Sequence, residues 1–263
     1  MDDLNLLMFR AYDIRTPSAL LTDVLAARLA RAEAVYFRES LGVSGVVVAH
    51  DARLAGPRYL ELAADEYARA GLTVVVVPGV CSTSEFYFAA MRHPAMAGVM
   101  FGASHNPAGD TGQKILGPGV RPIAAHIGPE GGLDRVRELY VSGVSASSAR
   151  GRIVAYNPTR EYIAYSMGIA GVEPDSLWRL KVCHDYLNGA AGREMMLAFE
   201  MAGADLTPLH FTADGHFPLG DPNPVKPAVV REGLEALRAG VVGCVEVKNG
   251  VPFSLEVDET ARA

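Results

Sequence analysis

The sequence predicts an α/β protein built as two three-layer α/β/α domains, each with a mixed, mostly parallel sheet, and ending in a β-hairpin. Three observations carry this reading. Short β-branched runs alternate with helix-length amphipathic stretches, the pattern of a largely parallel α/β layer. The alternation breaks once, over Val141 to Gly151, a stretch rich in Ser, Gly and Ala, and then restarts. Near the end, Asn249-Gly250 stands between two apolar-rich segments, and both positions of such a tight turn favour positive φ. The expected domains are therefore 1–150 and 151–263.

Taken in order, Ser18 is read as the N-cap of the first long helix, with Leu21, Val24, Leu25 and Leu29 along one face. Val46 to Ala49 is a short apolar run, the mark of a buried strand. A helical pattern over 57–70 stops at Gly71, and Thr73 to Val77 is again β-branched. A helix over Ser84 to Arg92 leads to a strand at Gly98 to Phe101. In the second half, a helix over 158–167 precedes a strand at Leu180 to His184. Helices follow over 190–202, ending at Gly203, and over 228–239, ending at Gly240. Val241 to Lys248 and Val251 to Val257 form the hairpin strands, with Val251, Phe253, Leu255 and Val257 alternating.

Composition narrows the function. Of the 263 residues, 49% are hydrophobic and 21% charged, which describes a globular chain and argues against extensive disorder. A formal net charge of −6 speaks against a protein made to grip nucleic acid, but not against a local basic site for a phosphorylated ligand. The three cysteines, Cys81, Cys183 and Cys244, are widely spaced and odd in number. They form neither a disulfide framework nor a zinc spacing, and a reducing cytoplasm is the expected setting. No apolar run reaches membrane-spanning length and the start is acidic, so no membrane association is expected.

One segment stands out for chemistry: Ala103-Ser104-His105-Asn106-Pro107, followed by Thr111-Gly112-Gln113-Lys114. It begins just past a buried strand, at the edge where α/β sheets bind ligands. Asn106-Pro107 forces an extended or turn conformation, so Ser104 lies on a loop. Taken by themselves these residues also fit an ordinary Asn-Pro turn with a solvated serine.

The segment resembles the phosphoserine loop of the α-D-phosphohexomutases, the phosphoglucomutase/phosphomannomutase family. Four further blocks agree, in order: Phe9 to Arg15, His50 to Leu54 with Asp51 and Arg53, Asp185 to Gly192, and Asp214 to Pro218 with Pro222-Asn223-Pro224. The resemblance implies that Ser104 carries a transferable phosphate and that hexose phosphate is the substrate class. It also implies glucose 1,6-bisphosphate as a phosphate donor. Phosphoryl transfer asks mainly for positioning and charge neutralisation. By family position, Arg15 would fork the phosphate, Lys114 would act as acid or base toward the sugar hydroxyl, and His105 would lie beside the phosphate. Tyr12 would wall the loop, with Asn106, Asp51 and Arg53 supporting it. Each has a plainer role open to it: Arg15 as a staple to Asp13 or Asp51, Lys114 as a surface lysine, His105 as a turn residue.

The family pattern fails at one place. Its members hold magnesium with the phosphoserine and three aspartates, and those positions here read Lys248, Gly250 and Pro252, with Phe253 where an arginine belongs. Glu246 is the single carboxylate between Val241 and Leu255, so no shift of frame restores the set. Ser84 and Ala228 are lesser departures. The sequence is also read as the family's first two domains without the third and fourth. The expectation is a truncated relative that binds no magnesium and does not turn over alone. The other readings are half of a split mutase completed by a separate C-terminal-half chain, a non-catalytic module binding a sugar phosphate or a partner protein, and the product of a truncated gene.

Overall fold

The computed structural model describes residues 4–145, 150–220, 222, 227–238, 244–248 and 251–255. The chain divides into two compact units, Met1–Ala103 with Gly109–Pro158, and Ser104–Ala108 with Thr159–Ala263. The division falls at Pro158–Thr159 and not at 150, because a short strand beyond the Ser/Gly/Ala-rich stretch still joins the first sheet.

The first unit opens with β1 (Ile14–Pro17) and α1 (Asp23–Val35). Ser18 is not the cap of α1. It starts a single 3-10 turn, Ser18–Leu20, and the Thr22 hydroxyl caps the helix by accepting from the Leu25 N–H at 3.4 Å. That choice places Asp23 in the first turn, where the positive end of the helix dipole favours an anion. Next come β2 (Gly45–His50), α2 (Gly56–Arg69), β3 (Thr73–Val80), α3 (Thr83–Arg92) and β4 (Ala97–Phe101). Gly71, at φ +87°, turns the chain after α2 as the sequence predicts, and Ser82 caps α3 through the Glu85 N–H. β5 (Asp110–Gly117), β6 (Arg121–Ile123), α4 (Leu133–Ser142) and β7 (Ile153–Ala155) complete the unit.

The sheet runs β1-β5-β4-β2-β3-β7, with β6 beside β5. β2 is parallel to β3 and β4, and β3 to β7, whereas β5 is antiparallel to β1, β4 and β6. Among the described strands of this sheet, β5 alone runs against the rest. Side-chain alternation then sorts the core into two layers. Val46, Val48, Val99 and Phe101 face the helices α1, α2 and α4, while Val47, Ala49, Val75 and Met100 face Phe86 and Ala89 of α3. This is why β2 reads as an unbroken apolar run: both of its faces are covered.

β2 is also the point where the winding reverses. α2 carries the chain from β2 to β3 on one side, and α3 carries it back past β2 to β4 on the other. The carboxyl ends of β2 and β4 thus lie at a topological switch point, the place where α/β sheets bind ligands.

The second unit holds α5 (Thr159–Ala170), β8 (Lys181–Asp185), α6 (Gly192–Met201), β9 (Asp205–Leu209), α7 (Pro227–Arg238), β10 (Cys244–Lys248) and β11 (Val251–Leu255). Its sheet order is β11-β10-β8-β9, with β8 parallel to β9 and β10. β10 and β11 pair antiparallel, Lys248 opposite Val251, while the Asn249-Gly250 turn, like Asn223-Pro224 and Gly240, lies outside the described residues. Pro252 occurs in β11 because an edge strand tolerates a missing N–H. α5 and α6 bury Ile163, Met167 and Ala202 between them. Among the described residues, no helix is long and apolar enough to cross a membrane.

An ionisable side chain is fully enclosed in the first core. Glu33 of α1 is fully buried, and the Tyr67 hydroxyl donates to its Oε2 at 2.5 Å. Burial pushes its carboxyl up to about 8, against the opposing pull of the Tyr67 hydrogen bond. A carboxyl raised on folding favours the folded state fully below its unfolded pKa of 4.5, and the contribution is lost as pH rises towards about 8. Glu33→Gln should therefore be increasingly more stable than the wild type between pH 5 and 8, by roughly 3 kcal/mol at pH 7. Denaturant unfolding at several pH values checks this, and a constant difference between the two proteins would refute it.

Candidate active site

The switch point at the ends of β2 and β4 is organised by Asp51, the residue after β2. Its backbone N–H donates to the Phe101 carbonyl of β4 at 2.9 Å. Its Oδ1 accepts from the Arg53 N–H at 2.9 Å, and its Oδ2 from the Ala103 N–H at 3.3 Å. The Arg53 guanidinium, 1% exposed, pairs with the same carboxylate through Nε at 3.3 Å and donates from Nη1 to the Asp110 carbonyl at 3.0 Å. Burial pushes the Asp51 carboxyl up, and the Arg53 N–H and guanidinium together with the Ala103 N–H pull it back. Burial likewise lowers the Arg53 guanidinium, with Asp51 and Asp110 opposing. Asp51 and Arg53 thus fix the backbone immediately before Ser104.

Two glycines make room for this. A Cβ on Gly102 would sit 2.5 Å from Asp51 Oδ2, and one on Gly112 would fall on the Ile14 carbonyl. Gly112 lets β1 and β5 approach, and its carbonyl accepts from the Gly102 N–H at 2.9 Å.

The close approach brings three charges to one face of the sheet. In the β1–β5 register Ile14 faces Gln113 and Arg15 faces Gly112, which places Asp13, Arg15 and Lys114 on a common side. Arg15 Nε donates to Asp13 Oδ1 and Oδ2 at 3.0 and 2.9 Å, its Nη2 lies 2.9 Å from Oδ2, and Lys114 Nζ lies 3.3 Å from Oδ2. Asp13 is buried, while Arg15 and Lys114 keep 28% and 31% of their side chains exposed. Two cations share one carboxylate, so the face carries a positive surplus that an anion can use. Asp13 is more central than the sequence suggests, where it is one of two carboxylates open to Arg15. Its central role follows from the register of a strand pair that no hydrophobic period announces.

Ser104 occupies the turn after β4, half-buried, with φ at +56°, a conformation seldom adopted by a serine. Its Oγ lies 3.2 Å from His105 Nδ1. His105 and Asn106 are also half-buried. Tyr12 lies in the bend before β1 and is 81% exposed.

In the second unit the Asp185-Tyr-Leu-Asn188 block forms a turn. Asp185 Oδ1 accepts from the Leu187 N–H at 2.9 Å, and Asn188 Nδ2 donates to the Thr212 carbonyl at 2.8 Å. Asp214 accepts from the His216 N–H and ring, which holds its carboxyl below the usual carboxylate range. Of the positions expected to correspond to the family's magnesium carboxylates, Lys248 ends β10 and Pro252 lies within β11, while Gly250 is outside the described residues. Their donor set is an ammonium, a hydrogen and an aliphatic ring, which does not fit a hard cation that needs oxygen ligands.

The first unit is thus a three-layer α/β/α domain with a cluster of polar and charged side chains at the carboxyl ends of its central strands. Residues 6–127 match the family model described as phosphoglucomutase/phosphomannomutase, alpha/beta/alpha domain I. The chain is 31% identical over 219 residues to a protein of Xanthomonas campestris pv. campestris named "Phosphohexose mutases", covering 83% of this chain and 47% of that protein. It is 31% identical over 237 residues to an Escherichia coli phosphomannomutase, covering 88% of this chain and 50% of that protein. The crystal structure of a phosphoglucomutase/phosphomannomutase family protein from Burkholderia thailandensis superposes with a TM-score of 0.76 at 27% identity, over 95% of this chain and 56% of that one. The chain belongs to the α-D-phosphohexomutase family and corresponds to its N-terminal part. It spans about half the length of the curated relatives it matches.

Because its Cβ would strike backbone, Gly112→Ala should destabilise the protein more than Gly102→Ala, whose Cβ meets a side chain. Both losses should be on the order of 1–3 kcal/mol. Urea unfolding midpoints report them, and a Gly112→Ala protein as stable as the wild type would contradict the close approach of β1 and β5.

Proposed function

We propose that this phosphohexomutase-like chain takes a phosphoryl group onto Ser104 from a hexose bisphosphate such as glucose 1,6-bisphosphate, and does not convert hexose monophosphates alone. The observation that carries the reading is Ser104 on its strained turn, with a ring nitrogen of His105 3.2 Å from the hydroxyl. In the transfer, Ser104 Oγ forms the new bond to phosphorus and its proton passes to His105 Nδ1. The bond from phosphorus to the sugar oxygen breaks, and that oxygen takes up a proton to leave a hexose monophosphate. Arg15 and Lys114, held on Asp13, are the cations we assign to the phosphate. Lys114 is also the acid or base we assign to the sugar hydroxyl. Asp51, Arg53 and Asn106 act as positioning residues.

Magnesium supplies charge neutralisation in the family, and the residues at positions 248, 250 and 252 do not suit it. Without that ion the bound phosphate is expected to persist and not to be passed back. A cleft completed by a separate chain equivalent to the other half is the second reading, which the solvent-accessible cations Arg15 and Lys114 would suit. A cytoplasmic location fits a hexose phosphate ligand and cysteines without a disulfide framework.

Intact-mass measurement after incubation with glucose 1,6-bisphosphate should show one added phosphate, absent from Ser104→Ala. An unmodified wild type would overturn the proposal. Conversion of glucose 1-phosphate or mannose 1-phosphate to the 6-phosphate should stay at the level of Ser104→Ala, with or without magnesium. Conversion well above that control would defeat the claim that the chain does not turn over alone.

A further inference from the structure

Three side chains of the second unit, none of them given a part in the proposed transfer, converge on one another. Asp185 is the last residue of β8, His210 follows β9, and Glu232 lies on α7. β8 and β9 run parallel with Asp185 opposite Leu209, which puts His210 one step past the register at the same sheet edge. His210 Nδ1 lies 2.9 Å from Asp185 Oδ1, and its Nε2 lies 3.3 Å from Glu232 Oε1. One ligand atom from each residue falls within 4.8 Å of the other two.

A second observation concerns Asp185 itself. The residue is 1% exposed, and while Oδ1 takes the Leu187 N–H and the His210 ring, Oδ2 is buried with no hydrogen-bond partner. A buried carboxylate oxygen left without a partner costs free energy that a directly bound cation would recover. Within the cluster itself, two carboxylates face a single imidazole.

We propose that Asp185, His210 and Glu232 form a binding site for one divalent transition-metal ion, zinc being the best match. One imidazole nitrogen with two carboxylate oxygens suits zinc, whereas magnesium takes oxygen ligands and favours its own waters. Three protein ligands leave a fourth position for water or for an oxygen of a ligand. Glu232, 46% exposed, stands on the open side, and Asp185 forms the buried floor. The site uses none of positions 248, 250 and 252, and its existence does not depend on Ser104.

The test uses the full chain after treatment with a chelator. Calorimetric titration should show one zinc ion per chain, and cobalt substitution should give a visible absorption band of the bound ion. His210→Gln should abolish both signals, and Glu232→Gln should weaken zinc at least about tenfold. His216→Ala, which removes the exposed His216–Asp214 pair, should change neither. Far-ultraviolet circular dichroism establishes that each variant is folded. Should His210→Gln fail to fold, the exposed Glu232→Gln still decides the matter. Absence of a stoichiometric site in the wild type, or equal zinc affinity in Glu232→Gln and the wild type, would overturn the proposal and leave the cluster a hydrogen-bonded ion group.

Discussion

The first unit depends on one half-buried carboxylate. Asp51 follows β2, yet besides the neighbouring Arg53 guanidinium it holds the chain at the end of β4, through the Phe101 carbonyl and the Ala103 N–H. Without such ties the ends of β2 and β4 would splay where their ladder stops, since a parallel pair offers no hairpin to close it. The cost of burying the acid is offset by a paired cation and two backbone donors, the condition under which a buried charge is tolerable. Gly102 is the steric counterpart of that bargain, giving up a side chain so that the carboxylate can reach the chain before Ser104.

The charged face of β1 and β5 has a different logic. Asp13 neutralises only part of Arg15 and Lys114, and both cations remain accessible to solvent. Pairs of this kind contribute little to stability. Their value lies in holding two long side chains ready, so that an arriving anion need not order them and the entropic cost is already met. The plainer sequence reading of Arg15, a staple to Asp13, and the family reading are therefore compatible: the staple is what positions the guanidinium.

Legibility in the sequence followed the strength of the physical signal. β2, β3 and β4 are buried on both faces and read as apolar runs, and α2 stops where Gly71 adopts positive φ. β1 and β5 carry Arg15, Gln113 and Lys114 within short pairings, so their alternation is masked by site chemistry, and Thr111 to Lys114 is legible only as a motif. Ser18 and Thr22 are equally good caps by residue type, and the choice between them rests on Asp23 and the 3-10 turn. Ser104, His105, Arg15 and Lys114 were within reach of motif reasoning. Asp13 as the shared partner of two cations was not, since it needs the register. The Asp185, His210 and Glu232 cluster was hidden for the same reason, its members being brought together only by the β8–β9 pairing and the placement of α7.

The reversed direction of β5 has an evolutionary consequence. The connections through α2 and α3 are crossovers, whose length and hand are constrained by the sheet they span. The stretch between β4 and β5 instead joins antiparallel neighbours, clamped at its root by the Gly102 N–H and Gly112 carbonyl and by the pairing of Phe101 with Gln113. A segment anchored at both ends in this way can accept a change of side chain while the winding of the sheet stays the same, so variation at this edge puts foldability at little risk.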